Sequence, residues 1–181
     1  MYRVISASND TYITNKIINN KYRATDANVG QAGTLDLFKL YNESTITGET
    51  KPIEYSRILI KFDHTSVATM FSDGLIDIAD SSFNVKLKLH DVYGGQTTPS
   101  NFKCIVFPLA KDFDEGTGYD IANFNDLDAT NFITASYQNS VVDDWALPGA
   151  MKSGSLNNSA TIDVITSGTL DSAVGMESLS F

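Results

Sequence analysis

Strict alternation of apolar and polar residues is the feature that most constrains the fold of this chain. In the run Ser82–Val92, the side chains of Phe83, Val85, Leu87 and Leu89 fall on one side, and polar residues, two lysines among them, fall on the other. Successive side chains of a β-strand point to opposite faces, so a period of two predicts a half-buried strand. We therefore expect a fold built from β-sheets.

Other runs predict further strands. The clearest are Tyr55–Phe62, Phe102–Leu109 and Ala160–Thr166, and the weaker ones are Tyr2–Ala7, Thr11–Ile17, Leu35–Leu40 and Ser178–Phe181. In the first of these, Ile58, Ile60 and Phe62 are the expected core residues. Glycine- and asparagine-rich turns of uneven length separate the strands, which favours a Greek-key or jelly-roll arrangement over a meander of tight hairpins.

Helix is expected to be minor. Only residues 63–71 and 124–132 have the composition of one or two helical turns, and no long segment has a clean period of 3.6. The predicted fold class is therefore all-β, a jelly-roll β-sandwich with one or two short helical turns. We expect the sandwich domain to occupy residues 1–170, with residues 171–181 forming a last strand or the start of a continuation.

The composition of the chain indicates the compartment in which it folds and the kinds of partner that it binds. The chain of 181 residues carries 22 acidic and 13 basic side chains, a net charge of -9, which argues against nucleic acid or an anionic membrane surface as a partner. No window approaches the ~18 apolar residues of a membrane helix, and the first residues lack the apolar core of a signal peptide. Cys104 is the only cysteine, so no intrachain disulfide is possible. We expect folding in a cytoplasm and no membrane insertion.

The strand series resembles the DNRLRE-type domain, a jelly-roll β-sandwich akin to carbohydrate-binding modules. The segments that carry the resemblance are Asp10–Ile13, Asn28–Gly30, Thr34–Leu35, Arg57–Asp63, Val85–Leu89 and Asp112–Gly116. Here Val29 stands where the family has an aromatic residue in its turn, and Phe113 stands where it has tryptophan. The resemblance covers about the first two thirds of the chain and implies the fold more strongly than a function.

A second resemblance is one of style. The runs Asp91–Pro99, Phe113–Asp120, Asp128–Phe132 and Asp144–Ala150 are similar to structural proteins of tailed bacteriophages, those of marine phages in particular. This resemblance implies a virion location, other virion proteins as partners and assembly as a homo-oligomer. A sandwich without signal peptide or disulfide agrees with it, because a virion protein is assembled in the host cytoplasm and works outside the cell.

An acidic, glycine-rich loop is the candidate metal site. Asp112, Asp114, Glu115 and Asp120 alternate with turn residues, and a flexible loop of oxygen ligands suits a structural calcium ion. The loop is not an EF-hand, because its spacing of ligands is different. In the alternative interpretation the aspartates cap turns and face water.

Aromatic residues in loop-like stretches are the candidate binding residues. Trp145, Tyr93, Tyr119 and Tyr137 could stack on sugar rings of a host glycan. They could equally plug the ends of the sandwich, or form a protein interface, where tyrosine and tryptophan are enriched. We expect function-specific residues to lie in the loops of residues 94–149.

Catalytic machinery is not apparent in the sequence. The adjacent pairs Asp114–Glu115 and Asp143–Asp144 do not predict a glycosidase, since neighbouring side chains usually point apart. The sequence therefore predicts a non-enzymatic structural protein of a bacteriophage virion (tail, fibre, baseplate or capsid-associated) that acts through subunit assembly. The alternatives are a carbohydrate-binding module for host-surface glycans and, third, a glycan-degrading domain.

Overall fold

The computed structural model describes residues 2–90, 92, 103–122, 129–155, 161–167 and 178–180. Its elements are, in chain order, β1 (Ala7–Thr14), β2 (Ile17–Ile18), β3 (Tyr22–Arg23), β4 (Lys39–Tyr41), β5 (Ile53–Phe62), α1 (Thr65–Ser72), β6 (Lys103–Ile105), β7 (Thr134–Gln138), β8 (Val141–Asp144), β9 (Ser153–Ser155), β10 (Val164–Ser167) and β11 (Ser178–Ser180). Strands predominate over the single helix of these residues, so the expectation of a β-rich fold is confirmed.

The largest sheet has three strands in the order β1-β5-β4, with β5 in the centre and antiparallel to both neighbours. The predicted strand Tyr55–Phe62 lies within β5, and Thr11 and Ile13 of β1 pair with Leu59 and Arg57 of β5. The second half of β1 is buried, because its apolar and hydroxyl side chains are covered on both faces. This pairing joins two segments more than 40 residues apart into one framework.

The main core lies against one face of this sheet. It is formed by Ile13, Leu59, Phe113, Ala135, Trp145 and Ala150, with Leu109 partly buried against it. The expectation that Ile58, Ile60 and Phe62 fill the core is wrong: Leu59 fills it, Ile58 and Ile60 are half-buried, and Phe62 is 38% exposed. The cause is the alternation of side chains along a strand, because consecutive residues of β5 point to opposite faces of the sheet. Leu59 therefore faces the core, and its neighbours Ile58 and Ile60 face the other way.

The remaining strands form four two-stranded pairs. These are β7 with β8, β11 with β6 and β2 with β3, all antiparallel, and β10 with β9, which is parallel. The predictions for residues 102–109, 160–166 and 178–181 are confirmed in part, because β6, β10 and β11 lie within or across them. The predicted strand at residues 2–7 is wrong, since β1 begins only at Ala7.

The most strongly alternating segment is the clearest departure from expectation. Residues 82–90 form no strand in the structure, and none of them is buried. A strand needs a second strand to satisfy its backbone hydrogen bonds, and these residues have no ladder partner in the part of the chain described. The alternation is therefore present in the sequence, while the pairing that it predicts is not made within this structure.

The one helix confirms the prediction for residues 63–71. The side chain of Asp63 accepts hydrogen bonds from the backbone N–H of Thr65 at 2.9 Å and from its hydroxyl at 2.5 Å, and these bonds lower the pKa of Asp63. Helix α1 contributes no buried residue. Of the second predicted helical stretch, residues 129–132 are not helical and the others lie outside the described residues. Across the described ranges, no helix has the length and apolarity needed to cross a bilayer.

Tyr12 gives the fold a predictable response to alkaline pH. Its ring is 5% exposed, and its hydroxyl donates to Asp36 Oδ2 at 3.5 Å. Burial, together with the charge of Asp36, raises the pKa of Tyr12 from 10.0 to about 12. The unfolded chain therefore releases this proton first, so the stabilisation is complete below pH ~10 and is lost as pH rises towards ~12.

We expect the free energy of unfolding to fall between about pH 10 and about pH 12, and to fall less steeply in the variant Tyr12→Phe. Urea unfolding at several pH values measures this slope. The variant Tyr41→Phe is the control, because Tyr41 is 59% exposed and should keep the wild-type slope. Equal slopes for Tyr12→Phe and the wild type would contradict the prediction.

Candidate functional site

The four carboxylates of the predicted calcium loop are each bound to a different part of the protein. Asp112 accepts hydrogen bonds from Lys61 Nζ at 2.7 Å to each oxygen, and its Oδ1 also accepts the backbone N–H of Phe113 at 3.0 Å. This contact with β5 lowers the pKa of Asp112. Both side chains are about half exposed, so the ion pair contributes little to stability.

Asp114 and Glu115 anchor the loop to two strands. Asp114 Oδ2 accepts the backbone N–H of Tyr137 in β7 at 2.6 Å, and its other oxygen accepts Gln138 Nε2 at 3.1 Å. Glu115 Oε1 accepts the backbone N–H of Asp10 in β1 at 3.2 Å. Burial raises the pKa of Asp10, and the charge of Glu115 raises it further. These two carboxylates therefore position the loop between β1 and β7.

The loop offers no assembled ligand set for a metal. Asp120 is turned to the chain that follows it, where its Oδ1 accepts the backbone N–H of Ala122 at 2.5 Å. Within the described ranges, no three His, Cys, Asp or Glu side chains come together as a metal centre requires. Calcium binding by Asp112, Asp114, Glu115 and Asp120 stays a prediction, for which the described geometry supplies no coordination.

Asn28 is the buried hydrogen-bonding centre of this region. Its side chain is 0% exposed, and its Nδ2 donates to the backbone oxygens of Glu115 at 2.9 Å and Thr130 at 2.7 Å. Its Oδ1 accepts the backbone N–H groups of Gly30 at 3.1 Å and Gly118 at 2.9 Å. One side chain thus satisfies four backbone groups in three segments of the chain.

Glycines are required around Asn28 because the segments approach closely. A Cβ placed on Gly118 would lie 1.8 Å from the backbone oxygen of Asn28, and one placed on Gly30 would lie 1.8 Å from the backbone oxygen of Glu115. Neither neighbour is the flexible end of a side chain. Backbone must therefore shift if either glycine gains a methyl group.

We expect Gly118→Ala to lower the free energy of unfolding by about 2–3 kcal/mol, the usual cost of overpacking. Chemical denaturation with a single fluorescence probe, Trp145, measures the change. Gly33→Ala is the matched control, since a Cβ there meets nothing within 4 Å. If both variants unfold at the same denaturant concentration, the close packing around Asn28 is not as described.

The predicted aromatic binding residues do not form one surface. Trp145 is 4% exposed within the core, and its Nε1 donates to the backbone oxygen of Asn131 at 3.0 Å, so its ring presents no open face to a sugar. Tyr137 is half-buried in β7, and Tyr119 is 67% exposed. Tyr93 lies outside the described residues. Of the four, the described structure leaves Tyr119 as the ring open to solvent.

A second buried centre, missed in the sequence, organises the loop after β8. Asp163 is 0% exposed and accepts the backbone N–H groups of Ala146 at 2.6 Å, Leu147 at 3.1 Å and Lys152 at 2.9 Å. Arg57 of β5 donates to the backbone oxygen of Ala150 at 2.6 Å from the other side. Burial lowers the pKa of Arg57, and the charge of Asp163 opposes that shift.

The sequence carries a signal for each of these centres. Asp163 lies between apolar neighbours in a predicted strand, and a carboxylate in such a position must be bonded if it is buried. Asn28 precedes a glycine turn, where an asparagine side chain commonly bonds its own backbone. Neither signal says which distant segment is held.

The segment of residues 63–90 carries several exposed apolar side chains, and none of its residues is buried. Its exposed large apolar residues are Phe71 at 49%, Leu75 at 62%, Ile78 at 55%, Val85 at 78% and Leu89 at 37%. Single exposed apolar residues are ordinary on protein surfaces, whereas a long run of them marks an interaction site. This segment is therefore the candidate interaction surface.

Strand β8 is a second uncovered element. All four of its residues are exposed, with Val141 at 65% and Val142 at 52%. Among the described residues, it pairs with β7 on one side and with no strand on the other. An exposed edge strand with two adjacent valines is a site for pairing with another chain.

Comparison with known proteins assigns the chain to no family: no family model, no curated protein and no solved structure matches it. Among the described residues, Asn28 and Asp163 are buried polar centres that hold the framework, and exposed apolar side chains lie in the 63–90 segment and along β8.

Proposed function

We propose that this protein is a non-enzymatic structural subunit of a bacteriophage virion that works by assembling with other copies and with other virion proteins. The observation that carries this proposal is the 63–90 segment, whose apolar side chains are exposed or only half-buried. A monomeric protein gains nothing from such a surface. A subunit gains stability when a neighbour covers it.

Covering the apolar side chains of the 63–90 segment would supply a large part of the free energy that assembly requires. Burying one large aliphatic or aromatic side chain contributes roughly 1.5–3 kcal/mol. The five large apolar residues exposed in the 63–90 segment are on average a little over half exposed, so covering them would contribute on the order of 6 kcal/mol. Association itself costs about 4–15 kcal/mol, so the free energy gained by covering this surface is comparable with that cost. A second contact between the copies would make assembly favourable.

The virion setting and the jelly-roll arrangement belong to the same proposal. The antiparallel sheet β1-β5-β4 contains two of the segments whose sequence resembles DNRLRE-type sandwiches, Asp10–Ile13 and most of Arg57–Asp63, and later runs are similar in style to tailed-phage structural proteins. The acidic charge of -9 supports protein partners over nucleic acid. The tail, a fibre, the baseplate and a capsid-associated position all fit this proposal.

Carbohydrate binding is the second candidate, and the exposure of Tyr119 at 67% is the observation that favours it. An open tyrosine ring in an acidic loop can stack on a sugar. A glycan array probed with the wild type and with Tyr119→Ala tests it. Binding that is lost in the variant would support the module, and an array without binding would remove it.

The assembly proposal is tested by the mass of the native chain across a dilution series. We expect a closed oligomer at micromolar concentration that dissociates on dilution, with a midpoint that shifts to higher concentration in Val85→Asp. Asn84→Asp is the matched control, because it adds the same charge to the adjacent, exposed polar position. A monomer at every concentration would contradict self-assembly.

A further inference from the structure

We infer that residues 82–90 of one copy add as a β-strand to the open edge of β8 in a second copy. This inference rests on the proposed assembly function and specifies its contact. It joins a segment that has the sequence pattern of a strand but no strand partner among the described residues to a strand whose outer edge pairs with no described strand.

The donor segment has the sequence of a strand and lacks the bonds of one. A turn at Asp80 begins it, where the backbone oxygen of Asp80 accepts the N–H of Phe83 at 2.9 Å and its Oδ1 accepts the N–H of Ser82 at 2.7 Å. Residues 84–90 then make no hydrogen bond to the described part of the chain. Their backbone N–H and C=O groups are therefore available to a neighbour.

The acceptor edge follows from the geometry of the β7–β8 hairpin. Its two turn residues, Asn139 and Ser140, have φ of 53° and 63°, the signs of a type I′ turn. Gln138 and Val141 then form the hydrogen-bonded closing pair, so the next residue, Val142, directs its N–H and C=O away from β7.

The residue paired with Val142 confirms that the backbone groups of Val142 point away from β7. Tyr137 lies opposite Val142, and its backbone N–H turns away from β8 to reach Asp114 Oδ2 at 2.6 Å. The outer edge of β7 is thus covered by the acidic loop. The outer edge of β8 makes no backbone–backbone hydrogen bond to the described residues; at its end, the backbone oxygen of Asp144 accepts Lys111 Nζ at 2.6 Å.

Charge favours β8 over the outer strand β4 as the acceptor. The donor segment carries Lys86 and Lys88 and no acidic residue, whereas β8 ends in Asp143 and Asp144. Their two negative charges exceed the one positive charge of Lys111, which pairs with Asp143 at 2.8 Å. The outer strand β4 carries Lys39, which would repel the donor.

Net charge favours a second copy of this chain as the partner of the donor segment. Setting aside the two lysines of the donor leaves 11 basic and 22 acidic side chains in the rest of the chain, a charge of -11. The donor of one copy therefore meets an acidic body in the next.

The contact is heterologous, because the donor and the acceptor are different surfaces of the same chain. Contacts of this kind propagate head to tail and close into rings when the rotation permits, or continue as filaments when it does not. Strand addition supplies backbone hydrogen bonds, and the alternate side chains Val85, Leu87 and Leu89 supply the apolar contact.

Cross-linking between differently labelled copies tests the contact. In a Cys104→Ser background, which removes the only native thiol, one preparation carries Leu87→Cys and another carries Val142→Cys. We expect a short bismaleimide to cross-link the mixture into dimers well above the level found in either preparation alone. No enrichment in the mixture, or efficient cross-linking within one chain that carries both cysteines at high dilution, would overturn the inference.

A proline substitution separates addition between copies from pairing within one chain. Leu87→Pro removes a backbone donor in the segment, so we expect it to raise the assembly dissociation constant at least tenfold and to leave the melting temperature of the dilute monomer unchanged. Leu87→Ala is the companion variant, which keeps the backbone donor and should assemble more strongly than the proline variant. A lower monomer melting temperature in Leu87→Pro would place the strand within its own chain and overturn the inference.

Failure of this inference is distinguishable from failure of the proposed function. If the wild type assembles and Leu87→Pro assembles equally well, assembly stands and strand addition to β8 is overturned. If the wild type is monomeric at every concentration, the proposed assembly function itself fails, and the inference fails with it.

Discussion

Replacing Asn28 with alanine is expected to lower the free energy of unfolding by about 4 kcal/mol, a large part of the stability of a domain of this size. The amide of Asn28 bonds four backbone groups in the segments around Gly30, Glu115, Gly118 and Thr130. Alanine leaves all four without a partner in a place where the wild-type side chain is 0% exposed. Unsatisfied buried groups of this kind each cost roughly 1–3 kcal/mol, and partial relaxation keeps the total below their sum.

Urea denaturation of the purified variant measures this loss. Asn84→Ala is the matched control, because Asn84 is exposed, makes no hydrogen bond to the described residues and should change stability by less than ~0.5 kcal/mol. Asn28→Asp is an informative companion, since it keeps the two accepted bonds and loses the two donated ones, so its loss should be large as well. A loss below ~1 kcal/mol in Asn28→Ala would contradict the described centre.

Removing the carboxylate of Asp163 is expected to cost about 3–5 kcal/mol. Three backbone N–H groups of the loop after β8 converge on it, and alanine would leave them buried or force the loop open. The variant also leaves Arg57 without the negative charge that opposes the effect of its burial. Stability and local order of the loop should therefore be lost together.

Thermal and urea unfolding measure the first effect, and proteolysis of the loop in the folded protein measures the second. Asp163→Asn retains one acceptor oxygen and should lose less stability than Asp163→Ala. Asp73→Ala is the control, because Asp73 is exposed and follows the end of α1. Equal stability of Asp163→Ala and Asp73→Ala would show that the three bonds do not hold the loop.

Local patterns in the sequence predicted the elements whose structure is decided locally. Strand β5 and helix α1 were predicted at nearly their observed positions, because each is determined by residues close in sequence. The strand follows from a dense apolar run, and the start of the helix is stabilised by the bonds of Asp63 to Thr65. The buried face of β5 was not predicted. Leu59 rather than Ile58 reaches the core because of its register with β1, and register depends on residues more than 40 positions away.

In the candidate site, too, features that depend on contacts between distant segments were not predicted from the sequence. The carboxylates from Asp112 to Asp120 are close in sequence but bind different segments, which no spacing rule reports. Trp145 lies in a loop-like stretch, yet Asn131 and the core enclose it. Asn28 reaches partners about 90 to 100 residues away, so its role depends on tertiary packing.

The central claim is that the 63–90 segment is an assembly surface, left uncovered until copies of the chain meet. Hydrogen–deuterium exchange of residues 82–90, compared between the dilute monomer and the assembled protein, tests it most directly. Because residues 84–90 make no hydrogen bond to the described part of the chain, we predict fast exchange in the monomer and at least tenfold slower exchange after assembly. Protection already present in the monomer, or fast exchange that persists in the assembly, would contradict the account.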